Sequence, residues 1–202
     1  ASVALLQPQF YKKNVKVIAL SADSIEDHLE WIPDINKYKN KLERELGILT
    51  TMDIFDENTD VNYPIIGDED LKVSNLYDMY HPNALPNSGS IGTPLKETIR
   101  SVFIIDPNKK IQAILVYPKN IGRNFNEIIR IIDALQVSAK YKVSTPANWF
   151  PGDDVIMSNE IESKDFNDSY QNDDSSEFED YLKFIKQPDF FDGTERGKKR
   201  SK

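Results

Sequence analysis

Two arginines stand where a solvent-facing charge is out of place. Arg100 lies in TIRSVFII, flanked by Ile99 and the apolar residues Val102, Phe103 and Ile104. A guanidinium among such neighbours needs an anionic or polar partner, because an unpaired buried charge is costly. A strand-end arginine that reaches solvent or a surface carboxylate would satisfy the same text. Arg123, in GRNFNE, precedes a helix pattern, where a cation opposes the helix dipole. It reads equally as a solvated loop arginine. If both face one site, they make a pocket that stabilises an anion or a thiolate.

The remaining chemistry-bearing residues are sparse. The chain has no cysteine, so it carries no disulfide framework, no Cys-based metal site and no thiol chemistry of its own. Its two histidines, His28 and His81, are far apart in unrelated contexts. No metal or cofactor is expected. His28, in EDHLEW, has no helical partner four residues away and no neighbouring nucleophile in sequence. It reads as a helix-surface or interface histidine. Asp106 and Asn108 read as turn formers, and the closing GKKRSK as a short basic end with a weak resemblance to a nuclear-import patch.

Several elements would have to position the two arginines. ALLQPQF reads as the body of a helix, followed by a polar corner at Tyr11–Asn14. Val15–Leu20 is a β-branched run expected to form a buried strand. Ser24 is the expected N-cap of a helix carrying Leu29, Ile32 and Ile35, which Pro33 should kink or end. Residues 36–62 are polar and poorly periodic, with a short helix at most near Leu42–Leu46. Tyr63–Ile66 is a short strand. A turn-rich segment follows, with Val73, Leu76 and Met79 inward. Thr98–Ile105 and Ile111–Tyr117 form a hairpin across a type I turn led by Asp106-Pro107. Residues 122–137 form the clearest helix, with Asn124 and Glu127 as a capping box. Phe125, Ile128, Ile129, Ile132 and Leu135 lie on one stripe. This order of elements predicts an α/β sandwich ending in a hairpin and a helix.

Composition bounds the rest. The chain has 202 residues, 39% of them hydrophobic, and a net charge of −8. That acidity argues against a general nucleic-acid binder, and no apolar run approaches the roughly 18 residues of a membrane span. Residues 1–150 hold 17 basic and 19 acidic side chains, whereas residues 151–192 hold 3 and 13. From residue 170 the Ser/Asn/Asp-rich text predicts a disordered tail, with Tyr181–Ile185 and Phe190-Phe191 as isolated apolar islands.

Taken together, NVKVIALSADSIEDHLEWIPDI, YPIIGDEDLKVSNLYDMYHPNA, RSVFIIDPNKKIQAILVYPKNIGRNFNEIIRIIDALQ and VSTPANWFPGDDV resemble, in order, the one-cysteine peroxiredoxins of the alkyl hydroperoxide reductase/thiol-specific antioxidant family. The resemblance implies an α/β, thioredoxin-like (peroxiredoxin) fold, N-terminally truncated and with a C-terminal extension. Its implied divisions are a core over 1–137, a divergent dimerisation region over 138–169 and a tail over 170–202. It further implies reduction of hydrogen peroxide and organic hydroperoxides by a cysteine thiolate, placed about five residues before Ala1. Arg100 matches the arginine that activates that thiolate and orients the peroxide, and Arg123 a second arginine of the same site. The expected partners are a hydroperoxide, an external thiol reductant (glutathione or a thiol protein) and a second copy in a cytoplasmic homodimer. The alternative is a cysteine-free binding or dimerisation module. Three departures are expected: Asn108 stands where some members carry the aspartate of a Ser-His-Asp set with phospholipase-like activity, which is not carried over; an insert occupies Lys39–Val61; and acidic text replaces the C-terminal arm after Ile156.

Overall fold

The computed structural model describes residues 1–45, 60–79, 98–157, 177–179 and 182–188. The chain divides into two compact units, Ala1–Phe125 and Asn126–Lys202.

In the first unit, α1 (Ser2–Lys12) buries Ala4 and Phe10. It stops at the expected polar corner. Asn14 adopts a left-handed conformation, and the Val15 N–H returns to the Phe10 carbonyl at 2.9 Å, as helix C-termini require. Strand β1 (Ala19–Ser21) pairs in parallel with β2 (Ile65–Gly67). Both are shorter than the apolar runs predict, and none of their residues is fully buried.

Between them, α2 spans Ile25–Glu45 and passes straight through Pro33. Of the two expected effects of Pro33, a kink or an end, the end does not occur, and the expectation that most of residues 36–62 are irregular is corrected as far as Glu45. Residues 46–59 lie outside the described residues. A mid-helix proline strands one carbonyl and costs about 3 kcal/mol. The half beyond it is braced by pairs four residues apart, Lys39–Glu43 and Lys41–Glu45, and by Arg44 Nε–H on the Asn40 carbonyl at 3.0 Å. Ser24 caps α2 as expected, its Oγ accepting the Asp27 N–H at 3.1 Å while Asp27 accepts the Ser24 N–H at 3.1 Å. A Cβ on Gly67 would stand 3.1 Å from Ile25 Cγ1, so glycine there lets the end of β2 pass under the first turn of α2.

After β2, Asp68 is 2% exposed. Its carboxylate accepts the Val73 N–H at 2.9 Å and the Ser74 N–H at 2.7 Å, anchoring α3 (Lys72–Leu76). Met79 is buried as expected, but Leu76 is 80% exposed. In so short a helix Ser74, held through Asp68, takes the inward position. Burial acts to raise the Asp68 carboxyl, and hydrogen bonds from Ser74, Val73 and Lys72 outweigh it and hold it below its ordinary value. A group depressed on folding stabilises the fold above its unfolded pKa, near 3.9 for aspartate, and loses that contribution as pH falls through its folded value. Asp68→Asn should therefore cost about 1 kcal/mol at pH 7, typical of a lost cap, with the difference from wild type vanishing in acid. Amide exchange at Val73 and Ser74 against pH reads this directly; an offset that persists in acid would refute it.

The expected hairpin is present. Strands β3 (Arg100–Ile105) and β4 (Ile111–Tyr117) pair antiparallel, and the Lys109 N–H closes the turn on the Asp106 carbonyl at 3.0 Å. Neither strand is buried along its length: Ile114 and Val116 are 54% and 59% exposed. Ring contact between Tyr77 and Phe103, centroids 4.9 Å apart, ties the segment after α3 to this hairpin.

The second unit is built on α4 (Phe125–Tyr141), whose stripe buries Ile128, Ile129 and Ile132. Glu127 holds Arg130 by two bonds of 2.7 and 2.8 Å, a partner that the capping-box reading did not foresee. A four-stranded antiparallel sheet follows, in the order β5 (Val143–Ser144), β6 (Val155–Met157), β8 (Leu182–Ile185), β7 (Glu177–Glu179). Its core is Val143, Trp149, Val155 and Ile185, with Ala134, Val137, Tyr141 and Met157 packed against them. The expectation of a structureless tail is corrected only over residues 177–179 and 182–188; the rest of the tail lies outside the described residues. YLKFI supplies β8, Lys186 pairs with Asp154 at 3.0 Å, and the Gly152 N–H donates to Gln187 Oε1 at 2.7 Å.

Candidate functional site

Arg100 opens β3 opposite Tyr117 on β4. It is exposed rather than buried, so the reading of a guanidinium sunk in an apolar strand is corrected. Its Nε–H donates to the Lys119 carbonyl at 2.7 Å, which fixes the head beyond the end of the hairpin. Arg123 stands in the connection from β4 to α4. There the Ile121 N–H closes a turn on the Pro118 carbonyl at 3.0 Å, and the Arg123 head lies over the Phe125 ring, 5.6 Å from its centroid.

The fold brings these two cations within electrostatic reach of each other. Burial, then the charge of Arg100, holds Arg123 below its ordinary value, while Tyr63 and Tyr117 act in the opposite direction. Tyr63 is pushed up by burial and partly restored by Arg123. The Arg123 residue is solvent-exposed overall. No carboxylate is among the groups acting on Arg123, and its guanidinium meets no hydrogen-bond acceptor among the described residues. Among the described residues, the charges acting on Arg123 are those of Arg100, Tyr63 and Tyr117, and a second cation nearby favours the approach of an anion.

The sequence singled out both arginines. It missed Tyr63, Tyr117 and Phe125. Tyr117 could have been found from the hairpin register, which places it across from Arg100. Nothing local joins Tyr63 to Arg123. His28 is also elsewhere than expected: it is 4% exposed, with Nε2 on Ser21 Oγ at 2.5 Å. No cluster of three or more metal-binding side chains occurs among the described residues, and His81 lies outside them.

The AhpC/TSA family matches residues 2–114. This chain belongs to that family. The C-terminal domain of 1-Cys peroxiredoxin matches residues 134–172, so family text continues past Ile156, where the sequence reading has it replaced. Among relatives, a 1-Cys peroxiredoxin of Dictyostelium discoideum is 45% identical over 155 residues, 77% of this chain and 53% of its own length. Peroxiredoxin PRX1, mitochondrial, of Saccharomyces cerevisiae is 39% identical over 191 residues, 92% of this chain and 63% of that one. The chain thus spans less than two thirds of either relative. Two solved structures share its fold. A mutant of peroxiredoxin 6 from Arenicola marina has a TM-score of 0.70 at 34% identity, covering 93% of this chain and 77% of that one. The yeast mitochondrial 1-Cys peroxiredoxin, described with glutathione and thioredoxin systems, gives 0.66 at 39%, covering 92% and 76%. The fold is therefore the thioredoxin-like α/β fold of peroxiredoxins. No helix among the described residues is long and apolar enough to cross a membrane.

Proposed function

We propose that this chain carries the peroxide-orienting part of a thiol-dependent peroxidase whose nucleophilic cysteine stands in sequence before Ala1. The observation that carries this reading is that Arg123 feels the charge of Arg100, while no carboxylate among the described residues acts on it. A thiolate placed beside them is favoured over the thiol. It attacks one peroxide oxygen, the O–O bond breaks, and the departing alkoxide or hydroxide takes a proton. Negative charge moves onto that leaving oxygen in the transition state, where a positioned guanidinium stabilises it. The cysteine is left as a sulfenic acid. An external thiol condenses with it to a disulfide, releasing water, and a second thiol restores the thiolate. Glutathione or a thiol protein fits that role, and a homodimer is the proposed assembly.

Purified, the 202-residue chain should reduce no hydrogen peroxide above a buffer blank, whereas a longer form of the protein carrying the cysteine should turn it over with added thiol. Turnover by the cysteine-free chain would overturn the assignment. So would an inactive but folded cysteine-bearing form, which would leave the binding or dimerisation module as the function.

A further inference from the structure

We propose that a groove between α4 and the loop after β5 is the seat of the chain's own Phe190-Phe191 pair, a contact that goes beyond the arginine site and uses none of its residues. The groove measures about 330 Å³ and is walled by Ile131, Ala134 and Leu135 of α4 and by Pro146 and Ala147 of the loop. That volume stands at the small end of ordinary ligand pockets, which run from about 300 to 1,000 Å³. The groove belongs wholly to the C-terminal unit. Arg130 also lines it, but its guanidinium is taken up by Glu127 at 2.7 Å and by the Trp149 carbonyl at 3.1 Å. Apolar contact is therefore what the groove offers, and an apolar segment is what fits it.

The occupant follows from where the described chain ends. Ile185 of β8 shares a core with Trp149 and Val155, and Ala134 packs against that core while also lining the groove. Beyond β8 the chain stays on the unit: Gln187 Oε1 accepts the Gly152 N–H at 2.7 Å, and Pro188 is buried. Residues 189–202 lie outside the described residues, and they open with Asp189-Phe190-Phe191-Asp192. Five residues separate Phe190 from Ile185, a reach of about 17 Å for extended chain, and Ala134 joins the core of Ile185 to the groove. Each phenylalanine has about 150–250 Å² to bury. Tethering favours this pair over an apolar segment of a second copy, because a short linker holds its segment at an effective concentration on the order of millimolar. Charge agrees as well. Lys140 and Lys142 are exposed just past Ser138, which lines the groove, and they are opposite in sign to the two aspartates that flank the phenylalanines.

The chain has no cysteine, so two introduced thiols report a single contact. In the full 202-residue chain, Ser138→Cys combined with Asp192→Cys should close an intramolecular disulfide about tenfold faster than Gln136→Cys combined with Asp192→Cys, the advantage of a held segment over a roaming one. Gln136 is exposed on the same helix and does not line the groove. Adding Phe190→Ser and Phe191→Ser should bring the Ser138→Cys rate down to that of the Gln136→Cys control. Intact mass and non-reducing gels read both rates. Equal rates at the two helix positions, a rate indifferent to the two serines, or a disulfide formed mainly between chains overturns the proposal, the last by making a second copy the occupant. Should the Ser138→Cys chain fail to fold, amide exchange at Ala147 and Asn148 decides between wild type and the F190S/F191S chain. Exchange about tenfold slower in wild type supports the seat, and equal exchange overturns it.

Discussion

Replacing Arg100 by alanine in the cysteine-bearing form should lower kcat/KM for hydrogen peroxide by about 10²–10³-fold, the usual loss for one donor aimed at developing charge. Two effects add. Loss of the cation raises the thiol pKa, so less thiolate is present at neutral pH. Loss of the donor also removes stabilisation of the leaving oxygen. These separate in a pH profile: raising the pH restores the first and leaves the second. Arg100→Lys should rescue only partly, because the head is fixed through Nε on the Lys119 carbonyl, and an ammonium group lacks the planar fork that makes this bond and still presents further donors. Rapid-mixing measurement of thiolate oxidation isolates this step from reduction by the second thiol. A rate within threefold of wild type for R100A would remove Arg100 from the mechanism.

Trp149→Ala should destabilise the C-terminal unit by about 3–5 kcal/mol, the range for truncating a large buried aromatic side chain. Trp149 is 1% exposed and lies at the centre of the core shared with Val143, Val155 and Ile185. Its Nε1–H donates to the Asp153 carbonyl at 3.2 Å, and its own carbonyl accepts Arg130 Nη1–H at 3.1 Å. Truncation therefore opens a cavity and frees the loop that closes on α4. Phe150→Ala, one residue on and 61% exposed, should stay within about 0.5 kcal/mol of wild type. Hydrogen exchange across β6 and β8 compares the two variants; similar protection in both would contradict the assigned core.

How much of this was legible from the residues depends on the range of the interaction involved. The hairpin, α4 and the corner at Asn14 follow from signals within a few residues of each other: Asp106-Pro107 between β-branched runs, an isoleucine stripe, and an asparagine able to take a left-handed backbone. The path of α2 through Pro33 was not legible, because the penalty of one proline is local while the ion pairs that brace the helix beyond it lie six to twelve residues farther on. Strand β8 was not legible either. YLKFI is short, set in acidic text, and acquires a partner only when β6 supplies one.

The same distinction separates the parts of the site. Arg100 and Arg123 are conspicuous as a sequence because each puts a charge where local rules disfavour one, while the family to which the chain belongs is legible in the order of four longer segments. That they share a corner with Tyr63 and Tyr117, and that His28 turns inward onto Ser21, could be decided only by the tertiary structure. Local preferences are set by neighbours along the chain, whereas electrostatic company and burial depend on neighbours in space, which no spacing in the sequence encodes.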